Sequence, residues 1–149
     1  MTRGMDRGLA IILTAGAGGL IALQAPINAG LGRATGSLAA AFVSFLIGTI
    51  ALGAIVVLSG KAGGLDSAFD LRWYYLVGGL LGAVYVTNAL IAIDVIGAGG
   101  VAALTVTGQL VASLAIDRFG LFGLDQISVG PERIVGVVFL FIGTVLVVR

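Results

Sequence analysis

Long apolar segments constrain this chain more than any other feature. Five of them lie at about residues 8–29, 37–59, 71–93, 98–116 and 132–148. A helix needs about 20 apolar residues to cross the ~30 Å hydrocarbon core of a bilayer, and each segment meets or approaches that length. Charged residues make up 10% of the chain, against about a quarter in a soluble domain. The sequence therefore predicts an all-α integral membrane protein, a bundle of about five transmembrane helices that forms a single domain over residues 1–149.

Turn and cap signals separate these segments. Gly30, Gly32 and Gly36 follow the first segment and predict a turn there. Ser37 and Asp70 precede the second and third segments, and both residue types favour the N-cap position of a helix. We therefore expect these two side chains to cap the second and third helices.

Two missing residue types narrow the chemistry. The chain contains no histidine and no cysteine, and its net charge is +1. Histidine is the commonest metal ligand and a common general base, and thiolate sites need cysteine. The acidic residues lie in loops or near the ends of the predicted helices. We therefore predict no enzyme activity, no catalytic residue, no metal and no cofactor, and the small net charge argues against a nucleic-acid partner.

The basic residues indicate how the chain crosses the membrane. An odd number of helices places six of them on the side of the N-terminus and two on the other side. Because basic loops stay in the cytoplasm, we expect a cytoplasmic N-terminus. The apolar run at residues 9–25 is longer than the core of about 7–15 residues in a signal peptide, so we expect a retained first helix in a multi-pass protein of the inner membrane. The six are Arg3, Arg7, Lys61, Arg72, Arg118 and Arg133, and the two are Arg33 and Arg149.

Carboxamides inside the predicted spans are the main candidates for function. Gln24 and Asn28 lie four residues apart, on one face of the first helix, to either side of Pro26. Proline frees a carbonyl one turn earlier in the helix, which adds polarity to this region. An amide in hydrocarbon is costly without a hydrogen-bond partner. The two side chains therefore either bind substrate or bond one helix to another, and the sequence leaves both roles open.

Two further carboxamides lie in the third and fourth segments. Asn88 follows Tyr85 by three residues. Gln109 lies near the middle of the fourth segment, with Thr105 and Ser113 four residues to either side, which makes a polar stripe on one face. Asn88, Tyr85 and Gln109 complete the predicted substrate-binding set with the pair in the first helix, and the alternative of helix-to-helix bonding applies to them as well.

Small residues and one acid complete the candidates. Gly78 and Gly82 form a GxxxG pair, which we assign to close helix packing within the bundle, with dimerisation as the alternative. Asp94 begins a tight connection, residues 94–97, between the third and fourth segments. A carboxylate inside the membrane would be a functional candidate, whereas a carboxylate in a wet turn would not.

Short motifs lie in the first four predicted helices and in the segment after the fourth. They are LQAPINA at 23–29 with Leu31-Gly32, Ser44-Phe45 with Gly48, GGLLGA at 78–83 with Tyr85-Val86, Gly108-Gln109, and Asp117 with Phe119-Gly120 and Phe122-Gly123. Together they resemble the motifs of one family, the YdcZ-like branch of the drug/metabolite transporter superfamily. The resemblance covers nearly the whole chain.

The resemblance implies that the chain is one half of an inverted-repeat transporter. Two units would then pair in opposite orientations within the lipid and move a small metabolite by alternating access, as an exporter or exchanger. The partner would be a second, inverted copy of this chain. A charge count of six against two favours a single orientation of the chain, so a homologous chain with the opposite charge bias is the alternative partner. The alternative functions are a non-transporting membrane scaffold or assembly subunit, and a passive pore.

Overall fold

Helices make up nearly all of the regular structure. The computed structural model describes residues 6–68 and 70–149, and no strand occurs in that part of the chain. The four long helices are α1 (Arg7–Thr35), α2 (Ser37–Leu58), α3 (Gly78–Phe119) and α4 (Pro131–Val148), and short 3₁₀ turns lie between α2 and α3 and after α3. Each long helix is apolar and long enough to cross a membrane. The predicted all-α membrane class is confirmed.

α3 contains a break that divides it into two arms. The helix has 42 residues, about twice the 20 that cross a bilayer core. Gly97 has φ 71° and ψ 169° inside it, a conformation that is essentially restricted to glycine. The third and fourth apolar segments of the sequence are therefore the arms 78–96 and 98–119, joined through one residue in the predicted connection.

α1 is longer than predicted, and its turn lies further along the chain. Gly30 and Gly32 lie inside α1 rather than in a turn. The turn is made by Gly36 alone, which has φ 84°. Gly32 stays in the helix. A Cβ there would lie 3.7 Å from the Ser37 Cα and 3.8 Å from the Ala40 Cβ, which are ordinary contact distances, so this position of α1 faces the start of α2.

The two predicted caps are wrong. Gly36, not Ser37, occupies the N-cap of α2 and makes no side-chain hydrogen bond. Asp70 precedes a 3₁₀ turn, Trp73–Val77, whose N-cap is Arg72. The side-chain cap observed is Asp6, whose Oδ2 accepts a hydrogen bond from the Gly8 N–H at 3.0 Å and so begins α1.

The chain divides into two compact units, the first ending at Ala92 and the second running from Ile93 to Arg149. In the first unit, small residues bring α1 and α2 together, and Ala29, Ala40 and Ala41 are buried. A Cβ on Gly82 would lie 3.2 Å from the Phe45 ring, so this glycine lets α2 pack against α3.

In the second unit, the arm 98–119 is tied to α4. Arg133 Nη1 lies 3.1 Å from Asp117 Oδ2, and the Ile127 N–H donates to the Asp117 carbonyl at 2.9 Å. These two bonds fold the connecting segment back onto the end of α3. Pro131 occupies the first turn of α4, as its missing N–H favours.

Little of the described chain is interior. The buried apolar residues are few and mostly small, and long aliphatic and aromatic side chains are exposed along every long helix. Such a surface is stable where lipid or another membrane protein covers it.

Candidate functional site

The second half of α1 places two carboxamides near the packing surface of the first unit. Pro26 lies inside α1 between them. Asn28 is only 7% exposed, whereas Gln24 is exposed. The four-residue spacing thus puts both on one side of the helix, as predicted, with Asn28 deep in the unit and Gln24 at its surface.

Asn28 bonds α1 to α2. Its Nδ2 donates a hydrogen bond to Ser44 Oγ at 3.0 Å. A bond of this kind between membrane helices stabilises their packing by about 0.6–2 kcal/mol. The structure therefore gives Asn28 a packing contact, one of the two roles that the sequence left open.

A small cavity lies beside this contact. Gln24, Asn28 and Tyr85 supply its polar lining, and its apolar lining is Ile21, Ala25, Val86, Ala89 and Leu90. The cavity volume is about 10 Å³, which is room for about one water molecule. Three of the five predicted binding residues therefore line one small cavity.

The remaining two predicted residues lie elsewhere. Asn88 is exposed on the arm 78–96 and does not line this cavity. Gln109 belongs to the second unit and is also exposed. Of the predicted packing glycines, Gly82 contacts Phe45, whereas a Cβ on Gly78 would meet no atom within 4 Å.

The lining of the cavity supports hydrogen bonding but not ion pairing. Gln24 and Asn28 offer amide donors and acceptors, and Tyr85 offers a phenol. No carboxylate, lysine or arginine lines the cavity. Across residues 6–68 and 70–149, no group of three acidic side chains is placed to hold a metal ion. The arrangement is suited to binding an uncharged polar group.

The second unit contains a buried pair of hydroxyls. Thr107 Oγ1 and Thr144 Oγ1 lie 2.6 Å apart, and the two residues are 7% and 4% exposed. Thr107 also donates to the Ala103 carbonyl at 2.8 Å, and Thr144 lies 3.3 Å from the same oxygen. The pair bonds the second arm of α3 to α4.

A groove lies above this pair. The two threonines, Leu104, Phe141 and Val148 are among its lining residues, and Arg149 lies at one end. Its volume is about 500 Å³, within the range of about 300–1,000 Å³ that is usual for small-molecule sites. The volume of this groove is therefore much larger than that of the cavity beside Asn28.

Ser44, Thr107 and Thr144 were not among the predicted functional residues. The sequence does contain a signal for Thr144, which is the one polar side chain in residues 134–148. A lone hydroxyl in an apolar span requires a partner. The predicted stripe of Thr105, Gln109 and Ser113 lies on more exposed faces than Thr107.

Comparisons with known proteins agree with the membrane architecture. The family described as "Putative inner membrane exporter, YdcZ" matches residues 9–146. The inner membrane protein YdcZ of Escherichia coli (strain K12) is 33% identical over 91 residues. That stretch covers 60% of this chain and 60% of the relative, so the match spans less than two thirds of the relative's length. No solved structure matches.

Proposed function

Because this chain belongs to the YdcZ family of inner membrane exporters, we propose that it is a secondary transporter that exports or exchanges a small metabolite by alternating access. It is a multi-pass inner membrane protein, and its family is one of exporters rather than of enzymes.

The size and polar lining of the cavity in the first unit support a transport site that a partner unit completes. Three polar side chains meet at a space of about 10 Å³, far below the ~300 Å³ at which small-molecule sites begin. Gln24 at the cavity and Asn88 elsewhere in the first unit are exposed, and a carboxamide facing hydrocarbon is costly. A partner unit that covers these amides would both satisfy them and enlarge the site.

The substrate we propose is neutral or amphiphilic. No carboxylate lines the cavity, and Asp94 is exposed near the connection at Gly97. A small cation would therefore find no opposite charge in the site. Saturable transport of a small cation that is abolished by Asp94→Asn alone would contradict this assignment.

The partner we propose is a second copy of this chain in the opposite orientation, with a homologous chain as the alternative. Labelling of single cysteines in cells tests this, because the chain has no cysteine of its own. Ala34→Cys and Ala62→Cys place one thiol near each membrane face without changing the charge bias. An inverted homodimer predicts that each site is labelled from both sides of the membrane. Labelling of each site from one side only would exclude it and favour a heteromeric partner.

Flux in proteoliposomes tests transport itself. The substrate is chosen as the uncharged metabolite that most raises the melting temperature of the purified protein, since ligand binding stabilises the folded state. We expect saturable flux that Gln24→Leu lowers at least ten-fold while the protein stays folded. Asn28→Leu should lower both flux and stability, since it also breaks the bond to Ser44. Thr14→Val, an exposed change on the same helix, is the matched control and should leave flux unchanged.

The same assay separates the other candidate functions. A scaffold or assembly subunit predicts no flux of any stabilising metabolite. A passive pore predicts flux that neither saturates nor shows exchange. Aggregation of Gln24→Leu, with normal flux by the protein that survives, would assign this amide to packing.

A further inference from the structure

We propose that the groove between the second arm of α3 and α4 binds one acyl chain of an anionic phospholipid, with Arg149 holding the headgroup. The groove lies wholly in the second unit and contains none of the five predicted substrate-binding residues. The inference therefore does not depend on the transport mechanism proposed above.

The hydroxyl pair makes the floor of the groove effectively apolar. Thr107 and Thr144 have one hydroxyl proton each, and both protons are used. When Thr107 donates to the Ala103 carbonyl, Thr144 donates to Thr107, and the reverse arrangement is equally closed. No donor remains on the floor for a ligand, and the two threonines are only 7% and 4% exposed, so the surface that a ligand meets there is mostly hydrocarbon.

The walls add to this apolar character. Leu104, Phe141, Val145 and Val148 line the groove. Gly108 also lines it, and a Cβ there would meet no atom within 4 Å. The absent side chain contributes to the volume of about 500 Å³.

Charge and depth distinguish a lipid from a protein helix as the occupant. Arg149 is the one charged residue of the lining, and it follows the last residue of α4. Thr144 lies five residues earlier, ~7 Å deeper along the helix axis. The guanidinium of Arg149 therefore lies at the end of the span, and the apolar floor at Thr144 lies more than one helical turn deeper. This order matches an anionic headgroup above an acyl chain.

Fluorescence quenching by brominated lipids tests the assignment. The reporter is Phe141→Trp in the full chain, with Trp73→Phe removing the one native tryptophan. The protein in mild detergent is titrated with phosphatidylglycerol or phosphatidylcholine brominated on the acyl chain. We expect quenching at about five-fold lower concentration of the anionic lipid, the preference that one basic residue near the membrane surface gives.

Three variants identify the residues responsible. Arg149→Gln should bring the two lipids to the same half-quenching concentration, and Arg149→Lys should restore the preference. Gly108→Leu should remove quenching by both lipids, because the new side chain occupies the groove, and its Cβ meets no atom within 4 Å. Circular dichroism checks that each variant keeps its helix content.

Four results would overturn the inference. Equal quenching by the two lipids in the parent would remove the role of the charge, and unchanged quenching in Gly108→Leu would place the lipid elsewhere. Absence of quenching in the parent would mean that another protein surface covers the groove. Tighter binding of brominated stearic acid than of phosphatidylglycerol, with the same dependence on Arg149, would assign the groove to a free amphiphilic acid.

Discussion

Replacing the buried threonines of the second unit by alanine should show that their hydroxyls act as one unit. Alanine removes each hydroxyl together with one methyl group and adds no atom to the 2.6 Å contact between the two oxygens. Thr144→Ala loses the bond to Thr107 but leaves the 2.8 Å bond from Thr107 to the Ala103 carbonyl. Thr107→Ala leaves Thr144 with the longer contact of 3.3 Å to the same oxygen.

The expected magnitudes follow from this accounting. Each single change should cost about 2 kcal/mol, about 1 for the hydrogen bond and about 1 for the lost methyl group. The double change removes the shared bond once rather than twice. We therefore expect the double variant to cost about 3 kcal/mol rather than 4, which is a coupling energy of about 1 kcal/mol.

Unfolding by dodecyl sulfate in mixed micelles, followed by circular dichroism, measures these three values. Thr105→Ala is the control, since this threonine is partly exposed on the same arm, and its effect should stay within about 0.5 kcal/mol. Single effects that add to the double effect within about 0.3 kcal/mol would refute the shared bond.

Two further predictions concern glycines. Gly97→Ala should destabilise the protein by about 1–3 kcal/mol in the same unfolding assay, because the backbone conformation of Gly97 (φ 71°, ψ 169°) is strained for any other residue. Gly136→Ala in the interior of α4 is the control and should be neutral or stabilising. Equal effects of the two changes would contradict the argument. Gly82→Leu should cost about 1–3 kcal/mol by overpacking against Phe45, and Phe45→Ala should partly restore stability. Gly79→Leu is the control and should be tolerated, because a Cβ at Gly79 would meet no atom within 4 Å. A Gly82→Leu variant of parent stability would show that the Phe45 ring moves freely.

The membrane class was predictable from the sequence because the solvent sets the length of the apolar segments. The inward faces of the helices were not predictable. In a soluble helix, polar residues mark the outer face, but a membrane helix is apolar all round. The polar stripe through Gln109 therefore gave no guide to the inward face of the second arm of α3, where Thr107 is buried instead.

The turn after α1 illustrates a second limit. Gly30, Gly32 and Gly36 are chemically identical turn signals, yet only Gly36 adopts a positive φ. Gly32 lies inside α1 and faces Ala40 of α2, and nothing in the local sequence distinguishes it from Gly36. At the candidate site, the cluster of Gln24 and Asn28 followed from helical spacing, whereas the bond to Ser44 depended on the packing of α2.

The single-residue turn between α1 and α2 has a consequence for hydrophobic mismatch. The two helices have 29 and 22 residues, and Gly36 holds their adjoining ends at one level. The seven extra residues extend the far end of α1 by ~10 Å, so its first turns, with Arg7, reach the headgroups when α2 spans the hydrocarbon. In a thicker bilayer α2 becomes too short before α1 does. Helix tilt, and any motion that depends on it, should therefore respond to acyl-chain length through α2 first.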